Sequence, residues 1–244
     1  MIKILEGTDP ISSLAEASDA TWFIPHVEGS DKVLCLMLGM SNMFGNISIA
    51  KSDRRHVFPR HYHGPRHVGR MWQEYIAIER GDTYYTQYRS REMRDTVAYF
   101  AWYHDAALCA GPAGQSEHLS AMCFSETMAT SPDCLEPKLA HTVTQAILYT
   151  AQHTSYMPWL SDSIKLLLDL DLAELGTDRY TINGELIRKE YDYVDHMTFV
   201  HGRIKFLQAM LAREKIYYNP CFADREGRAR ENIQADLNLL GYVP

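Results

Sequence analysis

The chain has no excess of positive charge, no cysteine pair at zinc-ribbon spacing and no apolar run long enough for a bilayer. Each absence removes a class of protein. With 24 Lys and Arg against 31 Asp and Glu, the formal charge is −7. Extended binding to duplex nucleic acid needs a basic face that displaces counterions, so that class is set aside. A small anionic substrate is still allowed, because a bound metal and a few arginines make one cleft positive on an acidic protein. The five cysteines, Cys35, Cys109, Cys123, Cys134 and Cys221, are odd in number and share no C-x-x-C spacing. That argues against a disulfide framework and fits a reducing cytoplasm, with each cysteine expected to be a small buried apolar residue. A membrane span takes about 20 apolar residues. The run from Val33 to Leu38 is far shorter, and the N-terminus shows no basic-then-apolar leader, so nothing suggests export. Phosphate-binding and acyl-transfer signatures are missing too: no G-x-x-x-x-G-K-S/T loop, no G-x-S-x-G elbow, no G-x-G-x-x-G turn. Pro132-Asp133-Cys134 supplies a single cysteine of the P-C-x-x-C pattern of zinc deaminases.

What is there reads as helix. At 244 residues the chain is long enough to bury a sizeable core, and no linker, repeat or low-complexity stretch divides it. Residues 1–55, punctuated by Gly7, Pro10, Pro25, Gly29, Gly39 and Gly45, are expected to be a short irregular extension packed on a domain spanning 56–244. Val33 to Met37 there reads equally as a short strand or the start of a buried helix. From Pro65 on, helical periodicity predominates: Val68, Met71, Trp72, Tyr75 and Ile76 recur before Gly81. Further helices are expected at Arg91–Leu108, at Ser116–Met128 with Ser116 as a possible cap, and over 136–152. A fifth, capped by Ser161 or Asp162, ends at Gly176, and three more cover about 178–194, 196–213 and 221–240, closed by Gly241. No period-2 strand pattern follows residue 56, so the fold class is all-α. The aromatics Trp72, Tyr75, Tyr99, Phe100, Trp102 and Tyr103 are expected to be chiefly core, with one or two free to stack a base.

Polar residues interrupt this pattern in a particular order. Tyr62-His63-Gly64-Pro65-Arg66-His67 is followed by His104-Asp105 at the end of an apolar helix, and later by Asp169-Leu170-Asp171 on another. Two adjacent polar groups in apolar company are costly to bury without partners, and a metal would satisfy both. Imidazole with carboxylate suits Zn, Fe, Mn, Co or Ni better than Ca, which prefers oxygen alone. His63 and His67 stand four apart, yet Pro65 between them and the lack of a following Glu separate the pair from the H-E-x-x-H arrangement of zinc proteases.

The order His67, His104-Asp105, Asp171 resembles the metal-binding signature of the HD-domain phosphohydrolase superfamily, an all-α helical bundle. Within it, the chain is similar to a family of small, predicted metal-dependent HD phosphohydrolases. The likeness runs from Arg60-His61-Tyr62-His63 through Trp102-Tyr103-His104-Asp105-Ala106 and Ser116-Glu117-His118-Leu119-Ser120-Ala121. It continues over Leu168-Asp169-Leu170-Asp171-Leu172-Ala173-Glu174-Leu175-Gly176, then from Gly202-Arg203 to Leu211-Ala212-Arg213, and closes on Ala229-Arg230-Glu231-Asn232-Ile233. The resemblance implies that His67, His104, Asp105 and Asp171 hold a divalent metal (Mn, Co, Ni, Mg, Zn or Fe). Asp171 is taken over Asp169 because it fills the second place of the Asp-x-Asp motif; Asp169 would point to another helix face. Tyr62-His63…His67 also resembles the Tyr-His-Asn-x-x-His motif of cyclic-nucleotide phosphodiesterases, in which the first histidine protonates the leaving oxygen, although Gly64 stands where the Asn would be.

The chemistry so implied is attack on phosphorus by a metal-bound water, whose pKa a divalent ion lowers from 15.7 towards about 7. His63 would protonate the leaving alkoxide, and Asp105 or Glu117 would orient the water. For Glu117 the simpler role, a first-turn acid complementing the helix dipole, stands beside it. Arg60, Arg66 and Arg203 are the candidate phosphate grips, and His153 a candidate phosphate donor or second-metal ligand. The expected substrate is a small phosphorylated metabolite, a nucleotide first, handled by a cytoplasmic enzyme, with homodimerisation as a base-rate expectation. The alternatives are a phosphodiesterase of cyclic nucleotides or short oligonucleotides, a di-iron oxygenase drawing on His118, His141 and His153, and a non-catalytic metal- or partner-binding module.

Overall fold

In the computed structural model the chain is described over residues 60–81, 83–108, 112–130 and 135–241. The expected 1–55 extension, its Val33–Met37 segment, and Cys35, Cys109 and Cys134 lie outside these residues. Among the described residues there are eight α-helices and no strand, so the fold is all-α, as the periodicity predicts. None of these helices is long and apolar enough to cross a membrane. The helices belong to two compact units, one over His63–Ala151, the other made of Arg60–Tyr62 with the chain from Gln152 onward.

The first unit holds α1 (Pro65–Arg80), α2 (Arg91–Tyr103), α3 (Gln115–Thr130) and α4 (Pro137–Thr150), with a 3-10 turn at Thr83–Tyr88. Proline opens α1 and α4, where its missing N–H has no partner to lose. Ser90 caps α2 by accepting from Met93 N at 3.0 Å. From Val97 to Tyr103 every residue of α2 is buried, which makes it the central helix, with α1, α3 and α4 packed on it. The six aromatics expected in the core are all buried, and none keeps an open face for a base. Tyr99 and Tyr103 meet Phe124 edge-on, at 6.0 and 5.3 Å between centroids, within the preferred range for aromatic pairs.

Helix α2 stops at Tyr103 rather than Leu108. His104 N still bonds Phe100 O, but Ala106 N turns to Tyr103 O and Ala107 N is taken by Ser120 Oγ of α3 at 2.9 Å. A side chain from another helix thus replaces the next rung of the ladder. Helix α3 begins at Gln115, so Ser116 sits inside its first turn and is not its cap.

The second unit contains α5 (Asp162–Leu172), α6 (Tyr180–Glu190), α7 (His196–Ala212) and α8 (Ala223–Leu239). Ser161 caps α5, and Asp195 caps α7 through Thr198 N. Leu166, Leu167, Leu168, Leu170 and Leu172 of α5 are buried, and the helix tightens into a 3-10 turn at Ala173–Gly176. Helix α8 packs on that turn closely enough that a Cβ at Gly176 would lie 2.7 Å from Arg225 Cβ. Helix α6 ends at Glu190, short of residue 194, where the Arg188 guanidinium takes the carbonyls of Tyr191 and Val194. Arg230 of α8 caps the end of α7, donating to the carbonyls of Leu211, Arg213 and Glu214. Gly241 closes α8 at φ +76°, a left-handed conformation that favours glycine. Cys123 and Cys221 are free thiols, half-buried and not fully buried as expected.

Candidate metal centre

The His104-Asp105 pair owes its place to the way α2 ends. His104 is the C-cap residue, still in helical conformation, and its ring stacks on Phe100 one turn back, at 5.1 Å. Its Nδ1 lies 3.2 Å from Phe100 O and 3.1 Å from Ala101 O. Carbonyls only accept, so Nδ1 can donate to them, and in the neutral tautomer that does so Nε2 is the lone-pair nitrogen. That Nε2 faces Asp105 Oδ2 at 2.7 Å and His67 Nε2 at 3.3 Å. His67 reaches it from the first turn of α1, and both imidazoles are buried to 1% exposure.

Two imidazole nitrogens and a carboxylate oxygen therefore converge on one point, where Asp105 Oδ2 is itself buried. Such an arrangement is relieved by a proton on one nitrogen or by a cation among the three. Two imidazole nitrogens and a carboxylate oxygen suit a transition metal or zinc, and a histidine that gives its other N–H to a backbone carbonyl has the usual orientation of a ligand. His67, His104 and Asp105 each offer one ligand atom within 4.8 Å of the others, a group that could hold a metal ion. His63 stands beside it: its Nε2 is 4.0 Å from Asp105 Oδ2, and its ring meets His67 edge-on at 6.0 Å.

In the second unit, Asp171 Oδ2 is 2.7 Å from His153 Nε2. Two residues earlier, Asp169 turns the other way. Fully buried, it accepts from Tyr218 N, Asn219 N and Asn219 Nδ2 at 2.7 to 3.0 Å and fixes the loop before α8. Burial pushes its carboxyl up to about 7, against these hydrogen bonds, which pull it down.

The other expected site residues fall into separate places. Glu117 is half-buried in the first turn of α3, and no bond joins it to His63, His104 or Asp105 among the described residues. Arg66 is half-buried in the first turn of α1. Arg60 belongs to the second unit, where the next two backbone amides, His61 N and Tyr62 N, both donate to buried Glu190. Arg203 lines a cavity of about 520 Å³ between α6, α7 and α8, with its Nε and Nη2 held by Asp236 and Tyr180 Oη at 3.0 to 3.2 Å.

Sequence reasoning missed Ser120, Glu190 and Arg213. Ser120 fixes the turn after Asp105, and Arg213 holds the carbonyl of His153 at 2.7 Å. Ser120 and Arg213 lie inside quoted stretches of the family resemblance, but neither residue type announces a role. No family model matches the chain, no curated protein matches it, and no solved structure does.

Proposed function

We propose that the protein is a metal-dependent phosphohydrolase of the HD type, acting on a small phosphorylated metabolite, a nucleotide first, in the cytoplasm. One observation carries this reading: His104 Nε2 faces both a carboxylate, Asp105 Oδ2 at 2.7 Å, and a second imidazole, His67 Nε2 at 3.3 Å. A divalent ion there supplies two things, a lowered pKa for water and polarisation of a phosphoryl oxygen.

The remaining work falls to the chain's own side chains. His67, His104 and Asp105 would hold the ion, with Asp171 as the further ligand that the family resemblance implies. His153 orients Asp171 through Nε2. His63, with its Nε2 4.0 Å from Asp105 Oδ2, is the group that would deliver a proton to the departing oxygen, a contribution of roughly 10²–10⁴ in rate. The cyclic-nucleotide or oligonucleotide diesterase reading rests on the same histidine, because an alkoxide leaving group needs that proton most.

The test is metal content together with product release from mono-, tri- and cyclic nucleotides supplied with Mn²⁺, Co²⁺, Ni²⁺ or Mg²⁺. Wild type should bind metal near stoichiometry and turn over, while Asp105→Ala loses both. His63→Gln should keep its metal and lose turnover. A diesterase would yield a monophosphate without inorganic phosphate. Metal binding with no turnover on any substrate would leave a binding module or an oxygenase, the latter revealed by iron content and oxygen consumption.

A further inference from the structure

Arg213 is a buried cation that stability alone does not explain. It is 5% exposed, lies over the rings of Tyr218 and Tyr156 at 4.9 and 5.8 Å, and its pKa is lowered by burial. Its Nε and Nη2 are buried with no hydrogen-bond partner among the described residues. Leaving two guanidinium nitrogens unsatisfied away from water is costly, and an apolar side chain of similar volume would pack there at no such cost. Its one hydrogen bond to oxygen runs from Nη1 to the carbonyl of His153, 60 residues earlier in the chain.

The neighbours of that bond serve the same stretch of backbone. Tyr218, whose ring stacks on Tyr156 at 5.3 Å, donates its hydroxyl to Ser155 O and accepts from Met157 N. Asp169 fixes the backbone of Tyr218 in turn. The turn after α4 is thus held through Asp169 of α5 and from the loop after α7, and it directs the His153 side chain at a candidate ligand, Asp171.

We propose that Arg213 is the positioning residue of the metal centre: it holds the main chain at His153 so that the imidazole keeps the Asp171 carboxylate in its ligating orientation. This rests on the metal reading above for its purpose, but not for its geometry. The partners that orient a ligand are worth about 10–100-fold in metal affinity, and Arg213 acts one bond further out, so a loss of about tenfold is expected on its removal.

The experiment compares wild type with Arg213→Met and Arg213→Lys. It reads denaturant unfolding, Zn²⁺ and Mn²⁺ affinity by calorimetry, and the ring proton shared by His153 and Asp171 by nitrogen-15 NMR of metal-free protein. Arg213→Met should unfold no earlier than wild type, broaden or lose the His153 ring proton, and bind metal about tenfold more weakly. Arg213→Lys, which keeps a donor for the carbonyl, should restore the ring signal. An unchanged His153 signal in folded Arg213→Met overturns the proposal, as does lost stability with the ring signal intact. If wild type binds no metal yet Arg213→Met still frees the ring, the positioning stands and the metal reading falls. Should Arg213→Met fail to fold, Tyr218→Phe removes only the hydroxyl on Ser155 and Met157. It should shift the His153 signal the same way, and an unshifted signal overturns the proposal.

Discussion

Asp169 and Asp171 stand two residues apart on α5, which is about 200° of helical rotation, and they point to different tasks. Asp169 is sealed in the core against the backbone of Tyr218 and Asn219, whereas Asp171 is half-buried against His153. Asp169→Asn turns an amide donor towards groups that are themselves donors, and should lower the unfolding free energy by roughly 3 kcal/mol. Asp171→Asn should change stability by under about 1 kcal/mol and, on the proposed metal reading, abolish metal binding. Urea unfolding and metal titration on the two variants would separate these outcomes. Equal loss of stability would contradict the division.

Gly176 is glycine because α8 leaves no room for more. A methyl group there meets Arg225 Cβ, Arg225 O and Tyr217 Oη, two of them parts of rigid backbone or its first side-chain atom. Gly176→Ala should therefore destabilise the fold by about 1–3 kcal/mol through overpacking, despite the gain alanine brings in most helical turns. Thermal unfolding would check it, and a rise in the midpoint would show that α8 can move away freely.

Tyr99 and Tyr103 make a matched pair for the worth of a buried hydroxyl. Tyr103 Oη donates to Thr127 Oγ1 at 3.0 Å, while Tyr99 Oη is buried with no hydrogen-bond partner among the described residues. Both phenols are raised in pKa, chiefly by burial. Tyr99→Phe should be neutral to stabilising by about 1 kcal/mol, and Tyr103→Phe destabilising by about the same. The sign of the difference, read by denaturant unfolding, is the test.

Burial pushes the Cys221 thiol up to about 12, with Asp169 adding to the effect. An unfolded cysteine titrates near 8.5. The folded state thus binds this proton more tightly, so its contribution to stability is complete below about pH 8.5 and falls as pH rises towards 12. At pH 8 the native thiol should react slowly with alkylating reagents and quickly once urea unfolds the chain. Fast native alkylation at that position, mapped by mass spectrometry, would contradict the burial.

The fold was legible wherever the signal is local. Pro65 and Pro137 open helices, Ser161 caps one and Gly241 closes one, each through its own backbone chemistry. The end of α2 was not legible, because it is decided by Ser120, thirteen residues downstream of the amide it captures. The donor set at His67, His104 and Asp105 could be read from order and from polar residues in apolar company, and the face change between Asp169 and Asp171 from helical geometry. The engagement of Arg203 was not legible either, because its fold partner, Asp236, stands 33 residues away. Arg213 stayed hidden for the same reason, its partner being a backbone carbonyl that carries no mark in the sequence.

Arg230 gives the last helix a reach beyond its own packing. Its guanidinium carries three carbonyls at the end of α7, one of them that of Arg213, and is itself steadied by Glu226. Glu226 also receives the amides of Ile216 and Tyr217. A lesion confined to α8, or a cut that removes it, would thus be transmitted along Arg230, Arg213 and His153 in succession and, on the proposed metal reading, surface as a weakened hold on the ion.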